Sequence, residues 1–297
     1  MGSFCEIDKD NTTSTIVVIG AGTMGSGISL TAAMSGFNVV QTDTSDDQLQ
    51  KCSFYHKKTT LRSVEKKRIT NEQSDIILKK IQYKKTIESH PNCCCVIEAA
   101  TENFLIKKEI FKKMFDCFPK ETILATNTSS ISIKKISEIK NAPSGRVIGM
   151  HFFNPVPVMK LCEVIKSEYT TKETLDQTII LAKKLGKTPV LANDFPGFVS
   201  NRVLMPMINE AFLAWEQGVS GPEEIDEIMK LGCAFPMGPL RLADLIGLDV
   251  CRDIMMVLHN GLDHRDKYKP NKKLLELVDS GHLGQKSGRG VYDYKTK

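Results

Sequence analysis

At 297 residues, with 41% hydrophobic and 25% charged residues, the chain has a globular composition and length enough for two domains. Collagen-like, disordered and membrane-embedded classes are excluded, since no apolar run approaches the roughly 20 residues that a membrane helix needs. The net charge is a modest +5, and the nine cysteines show neither zinc nor redox-pair spacing, so they read as reduced thiols and no metal is expected.

Residues 1–13 read as a flexible tail. Glu6, Asp8 and Asp10 argue against an uncleaved transit peptide, and Glu6 stands where myristoylation of Gly2 requires Ser or Thr. Thr15 to Gly20 is a β-branched run that breaks at glycine. Gly20-Ala21-Gly22-Thr23-Met24-Gly25 follows, then a helix-compatible stretch to Ser35, and then the strand-like NVVQTD ending at Asp43. Strand, G-x-G-x-x-G, helix, strand and acid form a dinucleotide-binding fingerprint. Gly20 permits the tight turn, Gly22 a close approach of backbone to pyrophosphate, and Gly25 close packing of helix on strand. Asp43 would accept from both ribose hydroxyls and repel a 2′-phosphate, so the expected cofactor is NAD and not NADP.

From about residue 45 to 85 the pattern is helical and polar, with a capping signature at Thr70-Asn71-Glu72-Gln73 that predicts a break between two helices. Residues 51–85 hold eleven Lys/Arg against three acids, a local +8 in a chain of +5. Three readings stay open for this arm: a solvated helical face, a site for a phosphorylated ligand such as coenzyme A, and a nucleic-acid site. Few aromatics interleave with the charge, which disfavours nucleic acid.

Cys93 to Ala100 is a further buried strand, followed by a helix from about Phe104 to Phe118 that carries Lys107 in its first turns. Thr122 to Thr126 is a strand that stops at Asn127-Thr128-Ser129-Ser130, and the run from Arg146 delivers His151 at another strand end. Ligands of doubly wound sheets bind beyond the carboxyl ends of the strands, so Glu102, Asn127, Ser129 and His151 are expected at one edge. Glu163, in the alternating segment 161–165, is the carboxylate nearest in sequence to that histidine. Alone, such a pair reads as a half-buried histidine and a solvated acid; the shared edge favours function.

Lys187 to Leu191 is a last strand. Downstream, helices are predicted over Val199–Gln217, Pro222–Leu231, Leu240–Leu258 and Lys272–Asp279. The expected architecture is therefore α/β: a doubly wound Rossmann-type NAD-binding domain over 14–192 with its helical basic arm, then an all-helical domain over 193–297 for substrate binding and homodimerisation.

These segments resemble the 3-hydroxyacyl-CoA dehydrogenases: GAGTMG at 20–25, ATENFLIKKEIF at 100–111, NTSSISI at 127–133, GMHFFNPVPVMKLCEVI at 149–165, DFPGFVSNR at 194–202, MGPLRLADLIGLD at 237–249 and GQKSGRGVYDY at 284–294. The resemblance implies oxidation of an L-3-hydroxyacyl-CoA to the 3-ketoacyl-CoA with NAD, or the reverse, as in fatty-acid β-oxidation. It implies His151 as general base, Glu163 as its partner, Ser129 (with Ser130 as rival) on the substrate oxygen, and Asn201 holding substrate and histidine. On the cofactor side it implies Met24 within the glycine motif, Asp43, Glu102, Lys107, Asn127, Asn154 and Lys286, and it implies that the arm takes the CoA phosphates. Cys52 and His56 depart from the family's polar pattern on the arm, and Cys162 stands where valine is common. The expected location is cytoplasmic, with the mitochondrial matrix as alternative; a dehydrogenase of free hydroxy or sugar acids and a non-catalytic crystallin-like relative are the rival functions.

Overall fold

The computed structural model describes residues 14–294, so the tail expected over 1–13 lies outside the described residues. The chain divides after Asp194 into two compact units.

The first unit runs β1 (Thr15–Ile19), α1 (Thr23–Met34), β2 (Asn38–Thr42), α2 (Asp46–Glu65), α3 (Asn71–Lys79), β3 (Ile81–Lys84), β4 (Cys93–Glu98) and α4 (Phe104–Cys117). It continues with β5 (Ile123–Thr126), α5 (Ile133–Ser137), β6 (Val147–Phe152), β7 (Leu161–Lys166), α6 (Lys172–Lys184) and β8 (Thr188–Asn193). One eight-stranded sheet has the order β3-β2-β1-β4-β5-β6-β7-β8. All neighbours pair in parallel except β6 with β7. Central strands of such a sheet are covered on both faces, which is why β1 and β4 are buried at every position and read as mainly apolar runs.

The arm is not helical to its end. Near its end Ile81–Lys84 form β3, paired with β2 from Val39↔Ile81 to Thr42↔Lys84. Ile81 is buried in the main core and Tyr83 packs against it, while Gln82 and Lys84 point outward. That period of two is short, and flanking lysines mask it in the sequence. The predicted break is present: α2 is capped by Ser45, and α3 opens on a capping box in which Thr70 and Gln73 bond reciprocally. Helices α5 and α6 were not anticipated.

The second unit contains α7 (Ser200–Glu216), α8 (Pro222–Gly232), α9 (Pro239–Ile246), α10 (Leu248–Gly261) and α11 (Lys272–Asp279). The single helix expected over 240–258 is two helices, broken at Gly247, whose φ of +106° is left-handed backbone. The unit's core gathers Met205, Ile208, Phe212, Leu240, Leu248 and Met255. Buried Asp244 pins the end of the chain, accepting from the Val291 and Tyr292 N–H groups at 2.9 and 3.0 Å and from the Tyr294 hydroxyl at 3.0 Å. No helix among the described residues is long and apolar enough to cross a membrane.

Candidate active site

The glycine turn lies between the carboxyl end of β1 and the start of α1. A Cβ on Gly20 would fall 2.5 Å from Ala100 Cα, and one on Gly25 would fall 1.8 Å from the Gly20 carbonyl oxygen, whereas one on Gly22 would meet nothing within 4 Å. Two glycines therefore allow backbone to pack on backbone, and the third leaves open space at the head of the helix. Gly22 is the N-cap of α1 and offers no side chain to the first-turn N–H groups. Those groups and the helix dipole favour an anion there, so the turn fits a pyrophosphate. Met24 packs on the main core just inside the turn. Asp43 follows β2, its Oδ2 accepting from the Ala21 N–H at 2.8 Å and its Oδ1 from Ser45 N–H at 2.9 Å. A carboxylate beside the turn fits the ribose end of the same dinucleotide.

Three strand ends away, β6 and β7 form an antiparallel pair in which His151 lies directly opposite Glu163. The His151 Nδ1–H donates to Glu163 Oε2 at 2.7 Å, and both residues are buried, 8% and 4% exposed. The Phe153 ring lies 4.6 Å from the imidazole, centroid to centroid. A carboxylate on Nδ1 orients the ring. Cys162 beside it is buried, and desolvation holds its thiol at about 12, so it stays protonated.

The edge anticipated from sequence is assembled by hydrogen bonds. Asn127 Oδ1 accepts from the Phe152 N–H at 2.8 Å, tying the end of β5 to the residue after His151. Glu102 accepts from the Ser129 N–H at 2.6 Å, from its hydroxyl at 2.8 Å and from the Thr128 hydroxyl at 2.7 Å. Ser129, not Ser130, is thus the serine whose hydroxyl Glu102 holds.

Lys107 does not lie at the surface of the cleft. It is 1% exposed, and its ammonium donates to Glu98 and, at 3.0 Å, to the Thr126 hydroxyl. Glu98, fully buried at the end of β4, also accepts from the Thr126 hydroxyl at 2.7 Å and the Ala100 N–H at 2.9 Å. In the sequence the signal for Glu98 is an acid closing the apolar run CCCVI, the mark of a paired buried charge. This network shapes the Ala99–Thr101 loop against which Gly20 packs.

Asn154 is exposed on the connection from β6 to β7, after a cis bond to Pro155 is formed at its carboxyl side. Buried Lys187 supports that connection, donating to the Val156 carbonyl and, at 2.9 Å, to that of Met159. The second unit carries the remaining two residues. Asn201 is buried in the first turn of α7, and the Lys286 ammonium pairs with Asp249 at 2.5 and 2.6 Å.

Comparison with known proteins agrees with this architecture. The NAD-binding domain model of 3-hydroxyacyl-CoA dehydrogenase matches residues 15–195, and the C-terminal domain model of the same family matches residues 197–294. A probable 3-hydroxybutyryl-CoA dehydrogenase of Bacillus subtilis is 51% identical over 282 residues, covering 95% of this chain and 98% of the relative. The mitochondrial hydroxyacyl-coenzyme A dehydrogenase of Homo sapiens is 38% identical over 289 residues, covering 94% and 91%. Among solved structures, the (S)-3-hydroxybutyryl-CoA dehydrogenase of Ralstonia eutropha superposes with a TM-score of 0.90 at 44% identity, covering 96% of this chain and 100% of that one. The chain belongs to the 3-hydroxyacyl-CoA dehydrogenase family, a family of NAD-dependent oxidoreductases.

Proposed function

We propose that the protein interconverts L-3-hydroxyacyl-CoA and 3-ketoacyl-CoA thioesters, with His151 as the proton-transferring residue. The observation that carries this reading is the buried His151–Glu163 pair at the strand end beside the residues that hold Ser129. NAD, held at the glycine turn and Asp43, would supply the hydride acceptor for C3 of the substrate, and NADH the donor in the reverse direction. In oxidation the His151 imidazole takes the hydroxyl proton through Nε2, and Glu163 on Nδ1 stabilises the resulting cation. Ser129 would hold the substrate oxygen, and Asn201 would hold substrate and histidine as the family resemblance implies. Asp43, Glu102, Asn127, Asn154 and Lys286 are proposed cofactor contacts, with Lys107 supporting them from behind through Glu98.

The exposed basic face of α2, where Lys51, Lys57, Lys58 and Arg62 flank a buried stripe of Leu49, Cys52, His56 and Thr60, is proposed to take the CoA phosphates. Exposed Val203 on α7 and Ile228 and Leu231 on α8 support a homodimer through the second unit, which light scattering across a concentration series tests. The described cysteines are all free thiols, which supports a reducing compartment, the cytoplasm or the mitochondrial matrix.

The test of activity is NADH-dependent reduction of acetoacetyl-CoA, with free acetoacetate and NADPH as comparisons. His151→Ala is expected to lower kcat by roughly 10²–10⁴-fold while NADH binding is retained. Equal turnover of acetoacetate would move the substrate class to free hydroxy acids, and absence of turnover with every acyl-CoA would overturn the reading.

A further inference from the structure

His56 plays no part in the chemistry above, yet it is fully buried, on the inner face of α2. Its Nε2 lies 2.8 Å from the Ser26 carbonyl oxygen, 3.1 Å from Ser29 Oγ and 3.5 Å from Cys52 Sγ. Its Nδ1 lies 2.8 Å from the Tyr83 hydroxyl on β3. A carbonyl oxygen only accepts, so Nε2 carries the proton and Nδ1 accepts from the tyrosine. Burial pushes the imidazole down to about 4 and the tyrosine up to about 12, which keeps both in the neutral forms this polarity requires.

The bonds continue beyond the histidine. Ser26 lies in the first turn of α1, and its hydroxyl donates to the Ala21 carbonyl at 3.1 Å. The Ala21 N–H donates to Asp43 Oδ2 at 2.8 Å, and the Asp43 N–H donates at 3.1 Å to the carbonyl of Lys84, the residue after Tyr83. Tyr83, His56, Ser26, Ala21, Asp43 and Lys84 are thereby joined in a closed ring of hydrogen bonds and backbone that passes through Ala21 of the glycine turn. A histidine that served only to pack α2 on the sheet would need no bond directed at the first turn of the phosphate-facing helix; an apolar side chain would fill that space.

We propose that His56 is a positioning residue for NAD, holding the first turn of α1 and the Ala21–Asp43 contact in the geometry that pyrophosphate and ribose require. It acts through Ser26 from outside the cofactor cleft, and the proposal rests on the NAD site described above.

The test is titration of the full chain with NADH, followed by nicotinamide fluorescence, for wild type, His56→Leu, His56→Gln and Tyr83→Phe, with urea unfolding in parallel. His56→Leu removes both directed bonds at similar volume and is expected to raise the NADH Kd on the order of tenfold. KM for NADH should rise in parallel, whereas kcat at saturating NADH should not follow. His56→Gln carries both a donor and an acceptor and is expected to restore most of the affinity. A folded His56→Leu with wild-type Kd, or a Gln variant as weak as the Leu variant, would overturn the proposal. Should His56→Leu not fold, Tyr83→Phe decides: a severalfold weaker NADH complex supports the ring, and an unchanged one overturns it. Failure of the wild type to bind NADH would strike the cofactor site itself, a result distinct from any difference among variants.

Discussion

Twelve residues separate His151 from Glu163 along the chain, and sheet register makes them face each other at 2.7 Å. Charge matters in that contact as well as shape. Replacing the carboxylate by an amide, Glu163→Gln, removes the negative charge beside the ring and, since an amide offers both a donor and an acceptor, no longer obliges the ring proton to sit on Nδ1, away from the alcohol. Oxidation of 3-hydroxybutyryl-CoA is expected to fall roughly 10²–10³-fold in kcat with NADH Kd unchanged, measured by steady-state kinetics and fluorescence titration. A second residue-scale prediction concerns stability. The His56 imidazole is held at about 4 by burial, against an ordinary 6.5 in the unfolded chain. Between those values the unfolded chain binds the extra proton. The contribution is therefore fully present above pH 6.5 and is lost as pH falls toward 4, by roughly 3 kcal/mol. Urea unfolding from pH 7 to 4 should show that loss in wild type, and a shallower one in His56→Gln, which has no group to titrate there. The candidate pair was legible in the sequence as a histidine at a strand end and an acid among apolar residues. His56 was legible only as a departure, because its partners come from α1 and β3, both far from it along the chain.

Among elements, the turn from β1 into α1 was the most legible, since its requirements are local. The three glycines nonetheless do different work, and substitution separates them. Gly25→Ala would drive a methyl into the Gly20 carbonyl and is expected to destabilise the fold by at least about 3 kcal/mol in urea unfolding. Gly22→Ala meets open space, so it should fold with stability near wild type while NADH Kd rises about tenfold or more, the methyl occupying the approach of the pyrophosphate. Elements whose identity depends on neighbours were harder to read. Ile81 to Lys84 is a strand because β2 pairs with it and the core receives Ile81, while its own composition matches the helices before it. The division of α9 from α10 rests on one glycine whose φ of +106° a sequence does not announce.

At the scale of the molecule, the uneven charge is the feature with consequences. Eleven basic residues against three acids over 51–85 leave the remainder of the chain slightly acidic. If the exposed face of α2 takes CoA phosphates, reversing Lys57, Lys58 and Arg62 to Glu should raise KM for acetoacetyl-CoA about tenfold and leave NADH Kd unchanged. The wild-type KM should also climb with ionic strength, whereas that of the variant should not. Kinetics at 20 to 500 mM salt, on the order of the range over which screening sets in, measure both. Unchanged KM in the variant would return the arm to an ordinary solvated face.

By itself the sequence determined the dinucleotide turn, most of the buried strands and the helical second unit. Each depends on local sterics or on apolar periodicity, which neighbouring residues specify among themselves. Only the tertiary structure decided that β6 and β7 run antiparallel with His151 against Glu163, that Ser129 donates to Glu102, that Lys107 is held inside by Glu98, and that His56 reaches the first turn of α1. Those contacts join residues from different strands and helices. Register and burial set them, and spacing along the chain does not show which side chains meet.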